Sequence, residues 1–245
     1  MTQPITLLMT RPNAASVRFV GQLPDTVRAH LNVCYAPLIR IAPLVDQITL
    51  GNTSALIFTS ANAVELASAL VSDRTLPVFC VGTATTQAAK NAGWTAQFAG
   101  TTANALIKML TTLRPVGPML HLCGVHTRGD IPKRLTTAGI KTTSLAIYDQ
   151  ITEPLTDQAN AVLKGMFPVI VPLFSPRTAR QFANLATIQA PIWLAALSKE
   201  VTKPLNSLDY QKILVCDQPD SASMCRTIER LVNAAGRVET GPSAK

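Results

Sequence analysis

The stretch Ala55-Leu-Ile-Phe-Thr-Ser-Ala-Asn-Ala-Val64 limits what this chain can fold into more than any other segment. Ala55 to Phe58 is a short, unbroken apolar run, the pattern of a strand buried on both faces. Thr59 and Ser60 are small and polar. From Asn62 onward the spacing of Val64, Ala67 and Val71 predicts a helix with one apolar side. A buried parallel strand that turns directly into a helix leaves unpaired backbone N–H groups at the turn. Small hydroxyl residues there let an anionic ligand come close. A weaker copy, Leu173-Phe-Ser-Pro-Arg-Thr-Ala179, stands about 115 residues later, and the pair signals an internal repeat.

The rest of the chain alternates in the same way. Residues 5–9 read as a buried strand, followed by Thr10-Arg11-Pro12 and by Asn13 as the cap of a helix that carries Val17, Val20 and Leu23 until Pro24-Asp25 interrupts it. Residues 33–43 are extended but hold Pro37 and Pro43, which suits a strand that leaves its sheet and becomes a linker. Further strands are expected at 76–82, 94–98, 119–123, 169–174, 192–196 and 212–216. The helices between them include one stopped by Gly93 and one capped by Thr101-Thr102 with Leu106, Met109, Leu110 and Leu113 inward. Others are one over 130–138 closed by Gly139, one starting at Ser175-Pro176, and a last one capped by Asp220 and followed by Gly236. Residues 141–151 look like the return linker. Alternating strands and helices predict α/β architecture with parallel sheets. Phe58…Ser60 followed by Val81-Gly82 is mirrored by Phe174-Ser175 followed by Leu197-Ser198 at nearly the same separation. The expectation is two similar parallel-sheet α/β domains joined by a two-stranded linker, the second inserted in the first. Residues 1–37 with 152–236 form one domain, 38–43 and 144–151 the linker strands, 44–143 the inserted domain and 237–245 a disordered tail. A cleft between the domains is then the natural binding site.

Charge narrows the ligand. The formal net charge of +8 favours polyanions, but the basic residues are scattered and aromatics make up only 5% of the chain, so no base-stacking surface for nucleic acid is visible. A small polycarboxylate or a phosphate compound fits better. No apolar run reaches membrane-spanning length, and the N-terminus lacks a signal-peptide pattern, so a cytoplasmic protein is expected. Cys34, Cys80, Cys123, Cys216 and Cys225 form no C-x-x-C pair and read as reduced core thiols, and three histidines without zinc spacing argue against a bound metal.

Val81-Gly82-Thr83-Ala84 is only a fragment of a dinucleotide fingerprint, there is no phosphate-loop G-x-x-x-x-G-K-[ST], and no G-x-S-x-G surrounds Ser60. Ser60, Thr83 and Thr85 can each be a helix cap, but their shared placement at strand ends favours a ligand role. Gly82, Gly124, Ser175 and Ser198 stand at equivalent ends. Arg11, Arg128 and Arg177 each follow a strand end and can clamp carboxylates bidentately. Tyr148 closes the return strand next to the expected cleft. Its phenol, with an ordinary pKa of about 10, is a weak acid suited to an already labile leaving group.

Taken together, Thr10-Arg11-Pro12, Leu56-Ile-Phe-Thr-Ser-Ala-Asn-Ala-Val64, Val81-Gly82-x-x-Thr85 with Gly93, Leu122-Cys-Gly124 with Arg128 and Gly139, Tyr148, and Phe174-Ser175-Pro176 resemble the uroporphyrinogen-III synthase family over nearly the whole chain. The resemblance implies two α/β domains on a two-stranded linker and closure of hydroxymethylbilane to uroporphyrinogen III. Water is lost and ring D is inverted through azafulvene and spiro intermediates, with no cofactor. It implies Tyr148 as the group assisting hydroxyl departure, with Ser60, Thr85 and Ser175 lining the cleft. The substrate, with eight carboxylates, suits a basic protein. The expected partner is this substrate, received from the preceding pathway enzyme, with no nucleic acid or membrane involved and the protein monomeric. One departure is Leu197-Ser198-Lys199-Glu200-Val201, which stands where the family often has glycine and then threonine. The alternative reading is a non-catalytic two-domain binding protein for a small polyanion.

Overall fold

The structure, a computed structural model, describes residues 5–185 and 188–238. Its strands are β1 (Ile5–Met9), β2 (Leu31–Tyr35), β3 (Ile39–Pro43), β4 (Ala55–Phe58), β5 (Pro77–Cys80), β6 (Thr95–Phe98), β7 (Met119–Gly124), β8 (Thr142–Thr152), β9 (Val169–Leu173), β10 (Ile192–Ala196) and β11 (Lys212–Val215). Its α-helices are α1 (Asn13–Val20), α2 (Asp25–Arg28), α3 (Ala61–Leu70), α4 (Thr83–Asn91), α5 (Ala103–Leu113), α6 (Ile131–Thr137), α7 (Asp157–Lys164), α8 (Pro176–Ala183), α9 (Lys199–Thr202) and α10 (Ser221–Val238). Contacts divide the chain into a continuous unit, Ile41–Ile151, and a split unit made of Met1–Arg40 and Thr152–Lys245. Among the described residues no helix is long and apolar enough to cross a membrane. All five cysteines are free thiols, four of them buried.

In the continuous unit the sheet order is β3-β8-β7-β4-β5-β6. β4 is buried throughout and pairs in parallel with β5 on one side and β7 on the other. Because side chains alternate along a strand, Leu56 and Phe58 join one core with Val64, Ala67 and Trp94. Ile57 joins the other core with Leu106, Leu110 and Leu135. The chain runs outward from β4 through β5 to β6, then crosses back to β7 on the far side of β4. Strand order therefore reverses between β4 and β7, and in open α/β sheets such a switch opens a crevice at the carboxyl ends of the strands.

The split unit follows the same plan. Its order is β11-β10-β9-β1-β2, with neighbouring strands parallel. β9 takes the place of β4 and β1 that of β7, so the reversal lies between β9 and β1. The β1–β9 ladder covers Thr6↔Val169 and Leu7↔Ile170 and stops before Pro172, which has no N–H to contribute.

Several local expectations are corrected. The extended run at 33–43 is two strands: β2 ends at Tyr35, and Ala36 and Leu38 donate to the carbonyls of Met9 and Thr10 before β3 begins in the other sheet. α1 begins at Asn13 itself, with Pro12 at the cap position and no side-chain cap. Its buried face is Ser16, Phe19 and Val20, and Val17 is exposed. α5 buries Leu106, Ile107 and Leu110 while Leu113 is exposed, a stripe rotated toward the helix's i, i+1, i+4 positions. α10 continues through Gly236 to Val238, because Gly236 does not take the left-handed conformation that ends helices. The remainder of the expected tail, 239–245, lies outside the described residues.

Candidate active site

In the continuous unit the residues that matter stand at the carboxyl ends of β4 and β7. Ser60 caps α3, its Oγ accepting from the Asn62 N–H at 3.1 Å. Gly124 ends β7 and pairs with Tyr148 across a register shift: Cys123 pairs with Ala146, so β8 holds one extra residue, Ile147. Such a bulge re-aims the side chain that follows it. Ile147 and Tyr148, though consecutive, both pack in the core on the α3 side. Gly124 is required by contact rather than by conformation, since a Cβ there would lie 2.7 Å from the Tyr148 ring. Tyr148 is 5% exposed. Burial pushes its pKa up; hydrogen bonds with the Ser60 and Asn62 side chains pull it back, and nearby Cys123 adds to the rise. At neutral pH the phenol is therefore protonated.

Beside it, β5 turns into α4 at Gly82, whose φ of 85° is left-handed and suits glycine. The Gly82 N–H donates to the Gly100 carbonyl at 2.9 Å, and Thr86 Oγ1 donates to the Gly82 carbonyl at 2.9 Å. α4 has no side-chain cap, unlike α3, α5, α7 and α8, so its first N–H groups are left for water or an anion. Thr85 is buried at this turn and Thr83 is exposed at its start. Arg128 is exposed in the connection from β7 to α6. On the opposite face of the sheet from Tyr148, the buried His121 of β7 has Nε2 3.1 Å from Thr59 Oγ1.

In the split unit, Arg11 follows β1 and its guanidinium lies over the Phe174 ring at 4.1 Å, which in turn meets Phe19 edge-on at 4.9 Å. Burial, followed by repulsion from Arg18, lowers the Arg11 pKa to about 10, so it stays charged. Among the described residues no carboxylate pairs with it. The neighbouring Thr10 hydroxyl is buried without a partner among the described residues. Ser175 caps α8, accepting from Thr178 N–H at 3.1 Å, and Arg177 sits half-buried in the first turn of that helix. Ser198 precedes the four-residue α9 and makes no cap bond.

Ser60, Gly124 and Tyr148 thus come together, Gly82, Thr83 and Thr85 share the adjacent turn, and Arg11 and Ser175 share the other sheet's switch point. Asn62 and His121 escaped the sequence reading. The Ser-x-Asn spacing at a helix start could have flagged Asn62, but His121 becomes visible only with the β4–β7 register. Among the described residues no three His, Cys, Asp or Glu side chains gather as a metal-ligand set.

Comparison with solved structures finds the same fold. A uroporphyrinogen-III synthetase from Helicobacter pylori aligns over 94% of this chain and 99% of its own, at 14% identity and a TM-score of 0.64. A mutant uroporphyrinogen III synthase from Thermus thermophilus aligns over 94% and 99%, at 11% identity and a TM-score of 0.50. No curated protein sequence matches the chain significantly. The family model described as uroporphyrinogen-III synthase HemD matches residues 27–226. A match across that span, taken with the shared fold, makes this chain a member of the uroporphyrinogen-III synthase family.

Proposed function

We propose that the protein closes hydroxymethylbilane to uroporphyrinogen III, with Tyr148 as the proton donor to the departing hydroxyl. The observation that carries this reading is the buried Tyr148 phenol, packed on Gly124 and placed near the Ser60 and Asn62 side chains beside a strand-order switch. A pyrrole nitrogen supplies the electrons that expel the hydroxyl, the C–O bond breaks, and the oxygen leaves as water with the proton given by Tyr148. Ring D then attacks through the carbon that gives the spiro intermediate. An electron-rich pyrrole makes the hydroxyl labile, so a weak acid suffices, and the greater task is to hold the chain in one conformation. Substrate carboxylates are met by the uncapped start of α4 with Gly82, Thr83 and Thr85, by Ser60, Gly124 and Arg128, and by Arg11, Ser175, Arg177 and Ser198 in the split unit. The protein works in the cytoplasm as a monomer, on substrate passed from the preceding enzyme, without nucleic acid or membrane. Residues 38–43 and 144–151 act as the linker strands between a 1–37 plus 152–236 domain and the 44–143 domain.

The test supplies hydroxymethylbilane enzymatically, oxidises the products and separates the I and III isomers. Predominant type III is expected. Type I alone, with protein in excess, would reject the synthase reading and favour the polyanion-binding protein. Tyr148→Phe should lower kcat by roughly a hundredfold, the scale of one positioned general acid, with circular dichroism unchanged. Wild-type turnover in that variant would remove Tyr148 from its role.

A further inference from the structure

The sheet that carries Tyr148 also buries an imidazole for which the scheme above has no use. His121 is 1% exposed and lies beside Ile57 of β4 in the parallel ladder. It alternates with Leu120 and Leu122, which pack with Tyr148, so it faces the opposite core. Its Nε2 is 3.1 Å from Thr59 Oγ1, while Nδ1 is buried with no partner among the described residues.

That asymmetry selects a tautomer. A proton on Nδ1 would leave a buried N–H with nothing to bond. A proton on Nε2 leaves only a bare lone pair. Orphaned N–H donors are the rarer and costlier defect, so Nε2–H donates to Thr59 Oγ1. Burial supports the neutral ring by holding the imidazolium pKa at about 4. Thr59 Oγ1 is then an acceptor toward His121, and its own O–H must find a different acceptor. None takes it among the described residues, and Thr59 is only half-buried, at the residue that follows β4.

We propose that His121 is a positioning residue that commits the Thr59 hydroxyl to donate a hydrogen bond to a carboxylate of the bound substrate. This rests on the synthase reading. Thr59 and Ser60 then work from the two faces of one strand end: Ser60 stands on the Tyr148 side, and Thr59 holds a carboxylate. A contact made equally in ground and transition states changes KM and leaves kcat alone, and that separates this role from a structural one.

The experiment measures type III formation under steady state, together with thermal melting, for the wild type, Thr59→Val, His121→Phe, His121→Gln and the Thr59→Val/His121→Phe pair. Thr59→Val and His121→Phe should each raise KM roughly tenfold, the scale of a hydrogen bond to a charged group, with kcat within about twofold. The glutamine variant, whose amide N–H can replace Nε2–H, should stay within about threefold of wild-type KM. The double variant should be no worse than the worse single one, because both changes remove the same bond. A wild-type KM in Thr59→Val, single effects that multiply in the pair, or a lower melting temperature with unmoved KM would each overturn the proposal. A wild-type protein that makes no type III product would remove the synthase reading and this inference together. That result is distinct from an active wild type whose variants keep its KM.

Discussion

At position 124 any side chain meets the Tyr148 ring, since even a methyl group would lie 2.7 Å from two ring carbons. Gly124→Ala should displace the phenol and, with Tyr148 as the proposed proton donor, lower kcat roughly tenfold or more, because misplacing a reacting group by about an ångström is that costly. It should also cost about 1–3 kcal/mol of stability through overpacking. Wild-type turnover in that variant would show that the ring has room to shift without consequence. His121 yields a second prediction. Its pKa is lowered from 6.5 to about 4 in the folded protein, so between those values the unfolded chain binds more protons and stability falls as pH falls. That separation corresponds to about 3 kcal/mol, fully present above the unfolded value and lost by the folded one. Urea unfolding across that window should show His121→Phe less acid-sensitive than wild type; parallel pH profiles would count against it. Gly124 was readable in the sequence as a strand ending, and Tyr148 as a residue near the site. Their contact was not, because it depends on the bulge that places Ile147 and Tyr148 on one face.

Among the elements, α3 and α4 are bridged at their carboxyl ends by Arg74 together with Trp94. Arg74 donates to the carbonyls of Ser68 and Ala92 and stacks on Trp94 at 4.4 Å, and Trp94 Nε1 donates to Ser68 Oγ at 2.9 Å. The guanidinium thus satisfies carbonyls that helix ends leave free, next to the negative pole of each helix. Arg74→Ala should lower stability by about 1–2 kcal/mol, and Arg74→Lys should restore little, since an ammonium cannot stack and fork at once. Chemical denaturation of both variants checks this; full recovery with lysine would mean that charge alone matters. At this scale the strands were the most legible part of the sequence. Those buried on both faces, such as β4 and β9, appear as continuous apolar runs. Helix faces were less legible. Short helices present several plausible stripes, and packing chose Phe19 over Val17 and Ile107 over Leu113. Pro172 shows a further limit: a proline inside a central strand is tolerated because the ladder on one side has already ended.

For the whole chain, matching positions in the two sheets pairs β4 with β9, β5 with β10, β6 with β11, β7 with β1 and β8 with β2. The repeated turns at Ser60 and Ser175 were legible and pointed to this duplication. The assignment of β1 and β2 to the sheet of β9 to β11 follows from strand pairing. A cut in the turn before β7, at the exposed Val116, should therefore give two co-expressed pieces that purify as one and keep activity. Pieces that stay apart in a tagged pull-down would contradict this. The order of the strands also carries a statement about how the molecule is assembled. Along the chain, β1-β2-β4-β5-β6 is repeated as β7-β8-β9-β10-β11, and each of these halves places two strands in one sheet and three in the other. The inserted domain is thus equally a strand swap between two like halves of one polypeptide, the intramolecular counterpart of a domain-swapped dimer.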